Sequence, residues 1–243
     1  STDNDSVMAG YSLGISLNTS FTGEDSLDIA IDAGVSGAGI AELDGNTNGD
    51  TLKVDGVSYT FPLGDKTTVI AGIDTDGSAL FTTACAYGGP SAMLDDCANV
   101  NAGITGGGAT VGAAYDFGTG FTAAFGAQTT EAAVFTDESA DKYAFNAAYT
   151  GDNYGVSLTY GVAEDGNEED TATAFNAYYL PDGAGLPSIS VGYEVVDLGG
   201  HISTHDELTS FMVGLSWDEV GPGSAGIALG HSSTVEGFDE EYQ

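Results

Sequence analysis

Apolar residues fall at every second position over most of the chain. In 11–17 they are Tyr11, Leu13, Ile15 and Leu17, with Ser12, Gly14 and Ser16 between; in 27–33 they are Leu27, Ile29, Ile31 and Ala33, against Asp28 and Asp32. The alternation returns at 57–61, 69–73, 111–117, 121–127, 143–149, 154–162, 175–179, 189–195, 211–217 and 225–229. Successive side chains on a strand point to opposite faces, so this period predicts about twelve strands, each with one apolar face and one small or polar face. No stretch approaches the roughly 18 apolar residues that a membrane helix requires.

The connections alternate as well. Short turns are expected near 21–25, 62–66, 118–120, 151–153, 181–187 and 218–223, and long polar loops near 35–51, 75–108, 129–141, 164–171 and 198–207. Tight turns at one end and long loops at the other characterise an antiparallel up-and-down transmembrane β-barrel. The predicted fold is therefore all-β, a single barrel domain over 1–243 with about twelve or more strands. Leu158, Val191 and Val213 should face lipid, and Ser157, Ser190 and Gly214 should face inward. Aromatics near strand ends, among them Tyr59, Phe61, Tyr115, Phe117, Tyr149, Tyr154, Tyr193 and Trp217, suit the two lipid interfaces. The inward faces hold mostly Gly, Ala, Ser, Thr and Asn. Either neutral residues line a lumen beneath acidic loops folded inward, or a second apolar layer packs there.

Charge narrows the function. There are 37 Asp plus Glu against three basic residues, Lys53, Lys66 and Lys142, for a net charge of -34. Nucleic acid is excluded as a partner, because its binding rests on cationic side chains meeting phosphates. The field of such a chain attracts cations. Cys85 and Cys97, the only cysteines, are compatible with one disulfide in an oxidising compartment.

Three segments stand out: Leu17-Asn18-Thr19-Ser20-Phe21-Thr22-Gly23-Glu24-Asp25-Ser26-Leu27, Tyr59-Thr60-Phe61-Pro62-Leu63-Gly64-Asp65-Lys66 and Ala147-Ala148-Tyr149-Thr150-Gly151-Asp152-Asn153-Tyr154-Gly155-Val156. In that order they resemble an early, a second and a later hairpin stretch of cyanobacterial outer-membrane porins. The resemblance implies a cell outer membrane location and passive diffusion of small solutes, inorganic ions especially. It also implies an incomplete barrel here, lacking an anchoring domain and final strands. Where that family often carries arginines after the first hairpin, this chain has Asp28 and Asp32, so no anion preference carries over, and the net charge of -34 favours cations. Partners would be outer-membrane lipid and small ions; a homotrimer is compatible with this reading. The alternative is a secreted acidic β-rich surface or adhesion module, stabilised by Ca2+.

Candidate sites follow. Asp95 and Asp96 lie in the longest loop and are the pore-constriction candidates, because a long loop folded into a barrel sets its narrowest point; a Cys85–Cys97 disulfide would help hold such a loop. Asp44, Asn46, Asn48, Asp50 and Asp55, with Gly49 at the turn, have the spacing of oxygen donors in a Ca2+ loop, although the same residues are ordinary turn chemistry. Weak Ca2+ binding at this segment is the one cofactor role the sequence offers. No Gly-x-Ser-x-Gly, His-Glu-x-x-His or phosphate-loop motif occurs, so no enzyme is expected.

Overall fold

The computed structural model describes residues 10–35, 49–88, 97–130, 140–165, 168–183, 185–199 and 207–235. Twelve strands follow in chain order: β1 (Tyr11–Thr19), β2 (Ser26–Val35), β3 (Gly49–Pro62), β4 (Thr67–Ile73), β5 (Ala109–Asp116), β6 (Phe121–Thr129), β7 (Asp141–Thr150), β8 (Tyr154–Asp165), β9 (Glu168–Tyr179), β10 (Ser188–Asp197), β11 (Glu207–Val220) and β12 (Gly223–Val235). They form one sheet in which every strand pairs with its sequence neighbour, always antiparallel. This is the meander that hairpin-by-hairpin alternation predicts.

The two faces are inverted relative to a water-soluble protein. Between β7 and β8, Ala147 pairs with Leu158 on the outer face, while Asn146 pairs with Thr159 and Ala148 with Ser157 on the inner face. Leu158 is 50% exposed, whereas Ser157 and Thr159 are buried at 2% and 0%. Between β10 and β11, Val191 faces outward opposite Val213, and Ser190 faces inward opposite Gly214; Val213 is exposed and Ser190 buried. The expected facing of these residues holds. Leu13, Val111, Phe145, Phe175 and Leu229 extend the exposed apolar surface around the sheet.

Aromatic rings gather where the strands meet the short turns. Tyr59 neighbours Phe21 and Phe61, with ring centroids 6.1 and 5.4 Å apart. Tyr115 meets Phe117 at 4.8 Å, and Tyr149 lies between Phe121 at 4.6 Å and Tyr154 at 5.6 Å.

The turn 20–25 shows how a short connection is held. The Asp25 carboxylate accepts hydrogen bonds from the hydroxyls of Ser20, Thr22 and Tyr59 and from the backbone N–H groups of Phe21 and Thr22. The Ser20 hydroxyl, then that of Tyr59, then the donors of Thr22 hold its pKa well below the usual carboxylate range, against the opposing effect of burial. Because Tyr59 belongs to β3, one side chain ties the first hairpin to the third strand.

Two expectations are corrected. The long loop expected over 164–171 is mostly strand: β8 and β9 run to Asp165 and from Glu168, with Glu164 opposite Glu169 and Ala163 opposite Asp170. Consecutive acids read as a loop, yet at a water-facing rim their mutual repulsion is weakened by solvent and salt, and the ladder continues through them. Likewise β3 begins at Gly49, well before the Val57 start of the apolar alternation. A shift in the β2–β3 register between Ala30 and Ile31 breaks the period there.

Candidate functional site: a loop seated on the inner face

In the connection from β4 to β5, residues 74–88 and 97–108 fold back onto the inner face. Its base is clamped shut. The Asp74 N–H donates to the Gly108 carbonyl at 2.8 Å, and the Asp74 carboxylate accepts the Gly108 N–H at 2.9 Å. Asp76 accepts the Gly106 N–H at 2.8 Å. The Ser78 hydroxyl accepts the Ile104 N–H at 2.9 Å and donates to the Ile104 carbonyl at 3.0 Å.

The outgoing leg climbs the wall with a strand's period. The N–H groups of Thr82, Ala84 and Ala86 donate to Asn146 on β7 at 3.0 Å, Ser157 on β8 at 2.9 Å and Ser190 on β10 at 2.9 Å. Tyr87 then lays its ring on Gly214 of β11 and Gly226 of β12. The returning leg places the Cys97 carbonyl on the Asn176 amide of β9 at 2.6 Å. Glu194 of β10 is fully buried. Its carboxylate accepts the Asn101 N–H at 2.7 Å, the Asn101 side-chain amide at 2.8 Å and the Ala102 N–H at 2.8 Å, with the Ser210 hydroxyl at 3.4 Å. A buried carboxylate requires such a donor set, since an unpaired one is strongly disfavoured.

The small inner residues are the seat for this loop. A Cβ at Gly192 would overlap the Cys97 carbonyl, one at Gly126 the Gly77 carbonyl, and one at Gly161 the Ala102 carbonyl. The Gly- and Ala-rich inner face is therefore a contact surface for a second layer of chain. Cys85 and Cys97 are bonded, with Cα atoms 6.1 Å apart, and join the two legs.

The inner faces of β1 to β3 are more open. Asn18 donates to Asp28 and Ser26 at 2.6 Å, and Asp32 stands opposite Lys53 in the β2–β3 register. Between β3 and the loop base lies a cleft of about 540 Å3 lined by Lys53, Asp55, Asp74, Asp76 and the backbone of Gly106 and Gly107. It is polar, and carboxylates outnumber the single ammonium in its lining.

Of the expected site residues, Cys85 and Cys97 come together as a disulfide. Asp95 and Asp96 lie outside the described residues, as do Asp44, Asn46 and Asn48. Asp50 and Asp55 lie on β3, and Asp50 accepts a hydrogen bond from the Tyr11 hydroxyl. Among the described residues, no group of three or more His, Cys, Asp or Glu side chains could hold a metal ion. Sequence reasoning did not single out Asn146, Asn176 and Glu194 as loop anchors. Their signal was a large polar residue in the inward register among small ones.

Comparison with solved structures bears on this architecture. Three engineered variants of the porin of Rhodobacter blastica superpose with a TM-score of 0.53, covering 93% of this chain and 75% of theirs at 11% identity. The fold is that of a porin-type β-barrel. No protein-family model matches the chain, and no curated relative does. In this porin-type barrel the loop rests on the inner wall, with described contacts on every strand from β5 to β12.

Proposed function

We propose that the chain is the barrel of an outer-membrane porin that lets small solutes and inorganic ions diffuse passively and favours cations. The observation that carries the reading is a long loop bound along the inner wall of a sheet whose outer face is apolar. An exposed belt of Leu, Val, Ile and Phe suits lipid. A loop fastened inside narrows the polar space that remains. The solved neighbours are variants of a porin, which supports the same class, and the three hairpin motifs support placing the chain among cyanobacterial porins.

Cation preference rests on charge. The more open inner wall and the loop base present Asp28, Asp55, Asp74 and Asp76 with Lys53, within a chain of net charge -34. Asp95 and Asp96, in the same loop, are proposed to stand at the narrowest point. At physiological salt the charges act over about 8 Å, and near molar salt over about 3 Å, so only carboxylates lining the constriction should still discriminate there. Reversal potentials in a planar bilayer across a salt gradient test this. Wild type should select cations, and Asp74→Asn/Asp76→Asn and Asp95→Asn/Asp96→Asn should each weaken the preference. Anion preference, or indifference to both double substitutions at every salt, would sink it. Extraction by detergent with heat-modifiable gel migration separates the channel from a secreted surface module.

A further inference from the structure

The outer face is not evenly filled. Along the β6–β7 pair the outward residues run Phe121 opposite Tyr149, Ala123 opposite Ala147, then Phe125 opposite Phe145. Two aromatic pairs thus bracket a pair of alanines. The result is an apolar groove of about 540 Å3 floored by Ala123 and Ala147, with Phe117, Phe121 and Tyr149 at its turn-side end and Phe175 along its course. At that same end stands Lys66, one of three cationic side chains in the chain. Its ammonium donates to the Phe117 carbonyl at 3.2 Å and would stand 3.7 Å from a Cβ at Gly118. The nearby Asp116 carboxylate accepts the Gly118 N–H at 2.7 Å. One of three ammonium donors is engaged by the carbonyl, leaving two for a ligand.

We propose that this groove seats one anionic phospholipid, an acyl chain lying over Ala123 and Ala147 and the headgroup phosphate meeting Lys66. Charge complementarity selects the occupant. The acyl groove opens at the aromatic belt, the level at which headgroups lie, and a cation stands at its mouth in an otherwise strongly acidic protein. The inference rests on the outer face lying in a membrane.

The test uses the whole chain in nanodiscs of equimolar phosphatidylcholine and phosphatidylglycerol, released into mild detergent, with retained lipids counted by native mass spectrometry. Wild type should retain one phosphatidylglycerol in preference to phosphatidylcholine. Lys66→Gln should lower that preference about fivefold, the loss expected for one cation near a headgroup layer. Ala147→Leu, which fills the floor, should release both lipids. Heat-modifiable migration and conductance should be unchanged in both variants, because neither residue faces the lumen. Equal retention of the two lipids by wild type overturns the proposal without recourse to any variant. So does phosphatidylglycerol retention that ignores both substitutions, or a change in oligomer mass with Ala147→Leu at constant lipid count, which would make the groove a contact between copies. A wild type that fails to insert at all would instead overturn the membrane reading beneath it.

Discussion

Single side chains hold two separate parts of this barrel. Asp25 closes the first turn and fastens it to β3 through Tyr59. Its folded pKa lies below the ordinary carboxylate value, so its contribution is complete above about pH 4 and is lost as pH falls through the depressed folded value. The melting temperature of Asp25→Asn should therefore lie below that of wild type at neutral pH, and the gap should narrow below about pH 4; a gap independent of pH would refute the role. Glu194 does for the loop what Asp25 does for the turn. Glu194→Leu leaves the N–H groups of Asn101 and Ala102 without their carboxylate, and each buried donor left unsatisfied costs about 1–3 kcal/mol. Glu194→Gln, which keeps one acceptor oxygen, should cost less. Thermal unfolding followed by the heat-modifiable gel shift ranks the three proteins, and equal stability of the two variants would contradict the assignment.

At the scale of elements, the loop behaves as a strip of chain fastened at many points rather than as a lid. Its outgoing leg makes rungs at alternate residues, its base is clamped, and the disulfide joins the legs between. Closing a loop of this length stabilises by about 3 kcal/mol in the chain-entropy picture, and the effect should stay local to the loop. Cys85→Ser with Cys97→Ser should therefore leave strand content by circular dichroism unchanged while single-channel recordings become noisier. Quiet, unaltered channels in the double variant would show that the hydrogen bonds suffice without the covalent link. The β8–β9 hairpin teaches a different lesson. Its acidic end has the composition of a polar loop, yet the ladder continues through it, with Glu164 opposite Glu169 and Ala163 opposite Asp170.

For the whole molecule, the inverted faces define the solvent on each side. Val213 lies on the outer surface opposite Val191 and is exposed there. Val213→Arg should cost about 2–4 kcal/mol if the position is near the bilayer midplane. Ser190→Ala on the other face leaves the Ala86 N–H without its acceptor and should cost about 1–3 kcal/mol. Urea titration of folding into lipid vesicles measures both, and a tolerated Val213→Arg would argue against lipid on that face.

Much of this was legible in sequence, because a strand's side-chain period is two and its hairpins are local. Twelve strands, their order and the outward placing of Leu158 and Val213 follow from alternation and turn residues alone. The inward loop does not. The pairings of Ala84 with Ser157, Ala86 with Ser190 and Asn101 with Glu194 join residues far apart in the chain, and no local period encodes them. What alternation left ambiguous was a face of small residues, equally suited to water or to packed backbone. The tertiary structure decided for backbone over β5 to β12, because glycine at 126, 161 and 192 is what lets a second layer of carbonyls approach the wall, and it left the more open inner surface to β1 through β3.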